Sequence, residues 1–381
     1  MADGKERPSA IVGLVACDAY QREKTHAAVK RAIDALGGIS AFVKPGDRVL
    51  LKPNLLKANP PDDAVTTHPE IVRAVIRLVR GAGGRVLVGD SPGMGRLDKV
   101  ARTAGILAVV NEEGAELVSF DDPVTVNAQG RFQHFEIARV AHEADVIINL
   151  PKLKTHGMVT MTGAVKNCFG CIPGNRKAQW HLNAGVDHDQ FSRMLVELYA
   201  LLAPKLTVMD AVVGMEGNGP GSGDPRRIGA IIAGQDAVAV DVVAAALISL
   251  SPVRLPVGRA AIELGIGAAS LEDITVKGDE LEPLIVRDFR LPASVHTEWP
   301  LPDWLRRTLK NALTNKPAID HSICLQCGLC ERHCPRKAIS KGRTGLVIDY
   351  RNCIRCFCCQ EFCPHRAIQV RKGWASGLLR S

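Results

Sequence analysis

The chain has 381 residues, of which 46% are hydrophobic and 23% are charged. This length allows two or three domains with sizeable cores, and the composition is ordinary for a soluble globular protein. No apolar run approaches the roughly 18 residues of a membrane span, and the polar N-terminus lacks the apolar region of a signal peptide. With 12 cysteines and no secretion signal, we expect the protein in the reducing cytoplasm.

The formal net charge of +8 is concentrated near the C-terminus. Residues 319–372 contain ten Lys or Arg and four Asp or Glu, which gives this segment a net charge of +6. A basic surface favours an acidic redox partner or an anionic substrate. Nucleic acid is the alternative, but aromatic residues make up only 4% of the chain and no nucleic-acid motif is present, so we expect no such partner.

Short apolar runs alternate with helical stretches up to about residue 282. The predicted strands cover residues 10–16, 48–51, 85–89, 145–149, 205–209 and 228–233, with a hairpin at 124–127 and 132–137. The predicted helices cover residues 23–36, 67–80, 190–202 and 237–250. This alternation predicts an α/β domain over residues 1–282, with a mostly parallel sheet and helices on both faces. We expect the proline-rich residues 283–318 to be a linker that wraps onto this domain.

Polar side chains follow four of the predicted strands. In open α/β sheets, ligands bind outside the carboxyl ends of the strands, so these ends predict one shared cleft. Any one of these side chains alone could equally be a solvated loop residue. The candidate substrate-binding residues are Lys52, Asn54, Asp90, Asn167, Asp210 and Glu216.

The segment 152–180 is the densest in such residues, and its alternation of glycine, lysine and apolar residues is typical of a loop that folds over a site. Lys152, Lys154 and Lys166 could bind a phosphate or a carboxylate. His156 could be an acid, a base or a ligand, or a structural histidine. These four residues are the candidate catalytic groups, but no phosphate loop, dinucleotide fingerprint, nucleophile elbow or zincin helix assigns their role.

Cys168 and Cys171 form a C-x2-C pair in the same segment. Such a pair alone is weak evidence for metal or redox chemistry, and buried thiols are the simpler interpretation.

Two copies of the motif C-x2-C-x2-C-x3-C-P lie 29 residues apart, beginning at Cys324 and Cys353. This is the ligand run of bacterial two-cluster ferredoxins, in which the fourth cysteine of each run binds the other cluster. We therefore predict two [4Fe-4S] clusters in a small α+β domain over residues 319–372, followed by a tail at 373–381. A pair of zinc sites is the alternative, but it would leave the third cysteine and the proline of each run unexplained. The first predicted ligand set is Cys324, Cys327, Cys330 and Cys363, and the second is Cys353, Cys356, Cys359 and Cys334.

Cys358 occupies the position that Leu329 holds in the first copy, so the repeat predicts no ligand there. We expect it to be a packing residue or a spare thiol, with ligand exchange as the alternative.

The front domain contains the motifs LLKPNLL, TTHPEIV, GDSPG, PKLKTH, AVKNCFGCIPG and GQDAVAVD in this order. Together they resemble a prokaryotic family catalogued as domain of unknown function 362, over residues 11–276. Its members are often fused to a two-cluster ferredoxin module. The resemblance implies an iron–sulfur protein, but it implies no reaction and no catalytic residue.

These observations lead us to expect an oxidoreductase whose clusters relay electrons between a redox partner and a small anionic substrate in the α/β cleft. One alternative is a non-catalytic electron carrier or subunit, whose α/β domain is a docking platform. A second alternative is an accessory protein that delivers metal or clusters.

Overall fold

The computed structural model describes residues 10–174, 176–184, 188–292, 315–371 and 373. An α/β domain reaches residue 292, and a small α+β domain begins at Lys316. Within these ranges, no helix has both the length and the apolar character needed to cross a bilayer.

The strands of the α/β domain alternate with helices along the chain, as expected. The strands are β1 (Ala10–Ala16), β2 (Arg48–Pro53), β3 (Arg85–Val88), β4 (Glu116–Leu117), β5 (Pro123–Asn127), β6 (His134–Ala138), β7 (Val146–Leu150), β8 (Lys152–His156), β9 (Thr160–Thr162), β10 (Leu206–Glu216), β11 (Asp224–Gly234) and β12 (Ile274–Gly278). The helices are α1 (Arg22–Asp34), α2 (Pro69–Gly81), α3 (Leu97–Thr103), α4 (Ile106–Glu112), α5 (Arg139–Glu143), α6 (Ala164–Asn167), α7 (Arg176–Asn183), α8 (His188–Leu202), α9 (Ala237–Leu247) and α10 (Pro256–Leu264).

The sheet has the strand order β12-β1-β11-β10-β7-β2-β3-β4, and the β8–β9 pair extends from β10. The pairings are parallel except β1–β11, β10–β11 and β8–β9. Strands β5 and β6 form a separate antiparallel hairpin.

Helices cover both faces of this sheet, because successive strand residues point into two different cores. In β2, Leu50 packs in a core with α8, α9 and α10, whereas Val49 and Leu51 pack in a core with α1, α2 and α4. The mostly parallel sheet with two covered faces confirms the predicted fold class.

Two local predictions need correction. Helix α2 begins at Pro69 and not at residue 67 as predicted, and it is capped by His68, whose side chain accepts a hydrogen bond from the backbone of Glu70. The Thr67 hydroxyl instead donates to the carbonyl of Leu150, 2.6 Å away. The segment 152–180 is also not a loop, because it contains β8, β9, α6 and α7.

The small domain consists of β13 (Lys316–Ile319), α11 (Leu329–Arg332), β14 (Ile339–Lys341), β15 (Leu346–Ile348), α12 (Cys358–Phe362) and β16 (Ile368–Arg371). Strand β13 pairs with β16, so the folded domain starts three residues before the expected boundary at residue 319. The residues of the expected linker between 293 and 314, and the tail beyond 373, lie outside the described residues.

Polar contacts join the two domains. The Nε2 atom of His156 lies 2.9 Å from the Glu361 carboxylate, and the ammonium of Lys57 donates to the carbonyl of Cys363 at 3.1 Å. Asn218 donates to the carbonyl of Ile368 at 3.2 Å. These contacts place the cysteine runs next to the carboxyl ends of β2, β8 and β10.

Candidate active site between the two domains

A cavity of about 490 Å³ lies between the α/β domain and the small domain. This volume is within the range of small-molecule binding sites in proteins. The α/β wall includes Lys52, Asn54, Asp90, Ser91, Lys166, Asn167, Lys177 and His181. The wall from the small domain includes Arg332, His333, Cys334, Pro335, Cys358, Glu361 and Phe362.

A buried ion pair lies in the α/β wall. The ammonium of Lys52, at the end of β2, is 2.8 Å from the carboxylate of Asp90, which follows β3. Lys52 also donates to the side chain of Asn167 at 3.2 Å, and Asp90 accepts the backbone N–H of Leu55 at 2.7 Å. Because parallel strands end at the same edge of the sheet, two residues far apart in sequence meet here.

Gly170 lies directly over this ion pair. A Cβ atom at this position would be 2.1 Å from the Asp90 carboxylate and 2.5 Å from the Lys52 ammonium. The backbone can therefore cover the pair only if residue 170 has no side chain.

Side-chain amides extend this polar wall. Asn54 donates to the Oδ1 atom of Asn167 at 3.1 Å, and Asn167 donates to the Oδ1 atom of Asn149 at 2.8 Å. The ammonium of Lys154 donates to the Oδ1 atom of Asn54 and to the carbonyl of Val65, both at 2.7 Å. Burial holds the pKa of Lys154 well below its ordinary value. Lys154 does not line the cavity itself, but its hydrogen bond holds Asn54, which does.

Short helices carry the remaining cations of the α/β wall. The carboxylate of Asp241 on α9 accepts the backbone N–H groups of Ala164 and Val165, and so fixes the start of α6. Helix α6 presents Lys166, whose ammonium lies 5.6 Å from the ring centre of Phe169. Among the described residues, this ammonium has no hydrogen bond or ion pair.

Helix α7 contributes Lys177 and His181, which are four residues apart and so share one helix face. Lys177 donates to the carbonyl and the hydroxyl oxygen of Ser91, at 2.6 and 2.7 Å. The ring of His181 stacks on Phe191, and burial lowers the pKa of His181 to about 4. The imidazole of His181 is therefore neutral at pH 7.

His156 lies behind the wall of the small domain. Its Nδ1 atom accepts the backbone N–H of Met158 at 3.0 Å, so Nε2 carries the proton that is donated to Glu361. Burial lowers the pKa of His156 to about 4, which agrees with a neutral ring. His156 thus orients Glu361, which lines the cavity.

Three predicted site residues, Lys152, Asp210 and Glu216, do not line the cavity. The prediction of one shared cleft at four strand ends is therefore wrong for these residues. Lys152 pairs with Asp210 at 2.9 Å, and both residues are fully buried beneath Tyr20 and His68. Asp210 lies within β10, where the prediction ended the strand, because this pairing makes its burial tolerable. Glu216 pairs with Arg290 at 2.7 Å.

Cys168 and Cys171 are both buried in the hydrophobic core. Burial raises the pKa of Cys171 to about 12, and the thiol of Cys168 lies 3.7 Å from the carbonyl of Ala164. These contacts are those of packed thiols.

The cysteines of the small domain form two neighbouring groups, which alternate between the runs as the ferredoxin pattern predicts. Cys330 is surrounded by Cys324, Cys327 and Cys363, and these four residues line one small cavity. Cys359 faces Cys353, Cys356 and Cys334, as well as Cys330. In the described part of the chain, no three His, Cys, Asp or Glu side chains form a site for a single metal ion.

The two ligand loops also share one backbone conformation. Gln326, Gly328 and Lys337 of the first copy have positive φ angles, and so do Arg355, Phe357 and Arg366, which lie 29 residues later. The left-handed conformation is costly for residues other than glycine, so its repetition indicates that both loops are shaped for the same task. The residues present therefore fit iron–sulfur clusters.

Several cavity residues were not among the predicted ones. Ser91 and Lys177 lie within segments that the sequence marked as polar, but no motif distinguished them. Glu361 lies between two predicted ligands, and Arg332 is an exposed residue of a basic segment. These residues line the cavity because one domain packs against the other. That packing cannot be predicted from a local sequence pattern.

Comparison with known proteins agrees with this organisation. The profile of the family "Domain of unknown function (DUF362)" matches residues 49–246, and that of the "4Fe-4S dicluster domain" matches residues 316–364. The thylakoid-associated protein sll1697 of Synechocystis sp. is 40% identical over 301 residues, which are 79% of this chain and 94% of that protein.

Among solved structures, the lactate racemase apoprotein from Thermoanaerobacterium thermosaccharolyticum aligns with a TM-score of 0.40 and 13% identity. The alignment covers 62% of this chain and 57% of the racemase, and so distant a similarity supports no conclusion about function. The two matches follow one another in the order that the sequence motifs predicted, and the first covers residues 49–246 of the expected 11–276. The chain belongs to the family of domain of unknown function 362, and its C-terminal part is a ferredoxin-type domain that binds 4Fe-4S clusters.

Proposed function

We propose that this protein is an oxidoreductase with two [4Fe-4S] clusters, which exchanges electrons with a small anionic substrate in the cavity between the domains. One observation carries the proposal. Cys334, a predicted cluster ligand, lines the same cavity as Lys52, Asn54 and Lys166. A substrate bound there would be in contact with the protein shell of a cluster.

The two ligand sets would have different tasks. The first set, Cys324, Cys327, Cys330 and Cys363, includes the exposed Cys327. The second set is Cys353, Cys356, Cys359 and Cys334, and Cys334 lines the cavity. When bound, such clusters supply single electrons at potentials between about −700 and +450 mV.

The charges of the cavity favour an anionic substrate. Lys52 and Asp90 neutralise each other, which leaves Lys166, Lys177 and Arg332 against the single carboxylate of Glu361. Lys166 forms no ion pair among the described residues and interacts with the Glu361 carboxylate only at longer range, so an anionic ligand group could pair with it directly. Asn54 and Asn167 would orient the ligand, and Lys154 and His156 would hold the walls.

The same cavity distinguishes this proposal from the two alternatives. A simple electron carrier or a cluster-delivery protein needs no lysine-lined cavity next to its clusters. The cavity also contains the aromatic rings of Phe169, His333 and Phe362, which suit a ligand with a planar part.

A redox partner would dock on the opposite side of the small domain. Leu325 and Ile323, next to the predicted ligands Cys324 and Cys327, have 69% and 43% of their surface exposed. An apolar patch within a basic domain suits a partner with an acidic rim around an apolar contact. We place the protein in the reducing cytoplasm, and the name of the Synechocystis relative would be compatible with a partner at the thylakoid surface.

The test combines metal analysis with ligand binding. Anaerobically purified protein should contain about eight iron and eight sulfide per chain, as two [4Fe-4S] clusters require. Small carboxylates and phosphates are then screened for compounds that raise the melting temperature. Lys166→Ala should abolish that rise and retain the iron, whereas Lys30→Ala, at an exposed ion pair on α1, should change neither.

Two results would contradict the proposal. If the purified protein contains zinc and no iron, it has no iron–sulfur clusters. If it contains clusters but no anion raises its melting temperature, the simple electron carrier is the better interpretation.

A further inference from the structure

Ser91 and Lys177 form a hydrogen-bonded pair in the cavity wall. The Lys177 ammonium lies 2.7 Å from the Ser91 hydroxyl oxygen, and it also donates to the Ser91 carbonyl at 2.6 Å. The hydroxyl oxygen accepts a second hydrogen bond, from the backbone N–H of Gly174 at 2.9 Å. With two donors directed at this oxygen, its own proton is left to be donated elsewhere.

Lys177 is partly buried, and its partners differ from those of Lys52 and Lys152 but resemble those of Lys154, which also donates to neutral oxygens. Lys52 and Lys152 each form an ion pair with an aspartate, whereas the hydrogen bonds of Lys177 to the described residues go to neutral oxygens of Ser91. A lysine without a carboxylate partner releases its proton more readily, because no ion pair is broken.

The surroundings argue against Ser91 as a nucleophile for acyl transfer. Such a reaction needs backbone N–H groups that bind the developing oxyanion. The N–H of Ser91 is bonded to Asp90 and Gly170, and Pro92 has none. The N–H groups of Gly93 and Met94 both donate to the carbonyl of Leu56. A proton-transfer role needs none of these groups.

We propose that Ser91 and Lys177 are the proton-transfer pair of the cavity, which serves an anionic substrate with a carbonyl group. This inference rests on the proposed function, since it requires a ligand in the same cavity. Once the carbonyl group has accepted an electron, which a cluster held at Cys334 would supply, its oxygen is basic and takes the proton of the Ser91 hydroxyl. The O–H bond of Ser91 is restored by a proton from the Nζ atom of Lys177, and solvent entering the cavity returns that proton to the lysine.

The charges around Lys177 support such a role at neutral pH. Burial lowers the pKa of Lys177 to about 8, and the groups that face it act in both directions. Asp90 on the loop after β3 raises the pKa, whereas Lys52 on β2 and Lys166 on α6 lower it. An acid with a pKa close to the working pH is the most effective proton donor.

The first test measures the ionisation of Lys177 directly. Full-length protein is labelled anaerobically with trace acetic anhydride between pH 6 and 11, beside free Nα-acetyl-lysine, and the Lys177 peptide is quantified by mass spectrometry. We expect half-maximal reactivity near pH 8 for Lys177, against about 10.4 for a free lysine side chain. Half-maximal reactivity near pH 10, or no labelling below pH 10, would overturn the assignment.

The second test separates proton transfer from charge. In Lys177→Arg the positive charge remains, but the guanidinium does not release its proton near neutral pH. With 4-formylbenzoate as an anionic carbonyl probe, the reoxidation rate of dithionite-reduced protein should fall about 10²-fold in Lys177→Arg. It should fall similarly in Ser91→Ala and stay unchanged in Lys30→Arg. An unaltered rate in Lys177→Arg would refute the pair.

The two proposals fail in different ways. If 4-formylbenzoate reoxidises the wild-type protein and Lys177→Arg equally fast, the proton-transfer pair is refuted and the proposed function stands. If no anion binds or accepts electrons, the proposed function fails, and the labelling profile still decides whether Lys177 ionises near pH 8.

Discussion

Two buried Lys–Asp pairs of nearly equal length have different surroundings in this protein. Lys52 and Asp90 are 2.8 Å apart and border the cavity, whereas Lys152 and Asp210 are 2.9 Å apart and are enclosed by protein. In the enclosed pair, the Tyr20 hydroxyl donates to Asp210 at 2.7 Å and accepts from Lys152 at the same distance. A buried ion pair is therefore not by itself a sign of a functional site. The cavity beside Lys52 and Asp90 is what distinguishes this pair as a candidate.

The largest expected effect comes from breaking the enclosed pair. Asp210→Ala leaves the ammonium of Lys152 buried without its carboxylate, which costs about 3–5 kcal/mol of unfolding free energy. Anaerobic urea denaturation measures this loss. Asp34→Ala, at an exposed pair with Lys30, should cost at most about 1 kcal/mol. A similar small loss for both variants would show that the enclosed pair has no structural role.

Gly170→Ala should disturb the pair at the cavity instead. The new Cβ would be 2.1 Å from Asp90 and 2.5 Å from Lys52, so one of them must move, at a cost of about 1–3 kcal/mol. We expect the thermal stabilisation by anions to be lost as well. Gly81→Ala is the control, because no atom lies within 4 Å of its Cβ position. If Gly170→Ala still binds anions, the Lys52–Asp90 pair is not part of the anion-binding site.

A smaller effect is expected in the dependence of the unfolding free energy on pH. Burial lowers the pKa values of His68, His156 and His181 to about 4, against 6.5 for an unperturbed histidine. The unfolded chain therefore binds protons first as the pH falls, so stability is full above pH 6.5 and is lost toward pH 4.

His181→Phe tests this reasoning at the cavity. The new ring can keep the stacking on Phe191, and the slope of stability against pH between 6.5 and 4 should become shallower. Denaturation midpoints at several pH values measure the slope. An unchanged slope would mean that His181 is not buried as a neutral ring.

The smallest effect is expected at Cys358. This cysteine is buried and lines the cavity, but the repeat places no cluster ligand there. Cys358→Ser should keep the full iron and sulfide content, whereas Cys359→Ser, one residue later, should lose iron. Iron loss in Cys358→Ser would indicate that Cys358 is a ligand.

The fold class and the spacing of the cysteine runs could be predicted from the sequence because both depend on local repetition. The alternation of strands and helices gives the sheet, and the offset of 29 residues gives the two ligand loops. Lys52, Asn54 and Asp90 could be predicted as neighbours because the ends of parallel strands converge, whereas α6 carries Asn167 to the same place.

The remaining site residues depend on distant contacts. His156 and Glu361 are 205 residues apart, and only the packing of the two domains brings them together. The apolar run 205–209 places Asp210 after a strand, whereas β10 continues through it, although a buried carboxylate is costly. The partners that make it tolerable, Tyr20 and Lys152, are 190 and 58 residues away.

The central claim is that an anionic substrate binds next to one of two clusters. The most direct test is an anaerobic redox titration, followed by electron paramagnetic resonance, with and without an anion that stabilises the protein. Because binding and reduction are reciprocally linked, we expect the potential of one cluster to shift and that of the other to stay constant. The shift should disappear in Lys166→Ala. Two unchanged potentials, or equal shifts that persist in Lys166→Ala, would contradict a substrate site between the domains.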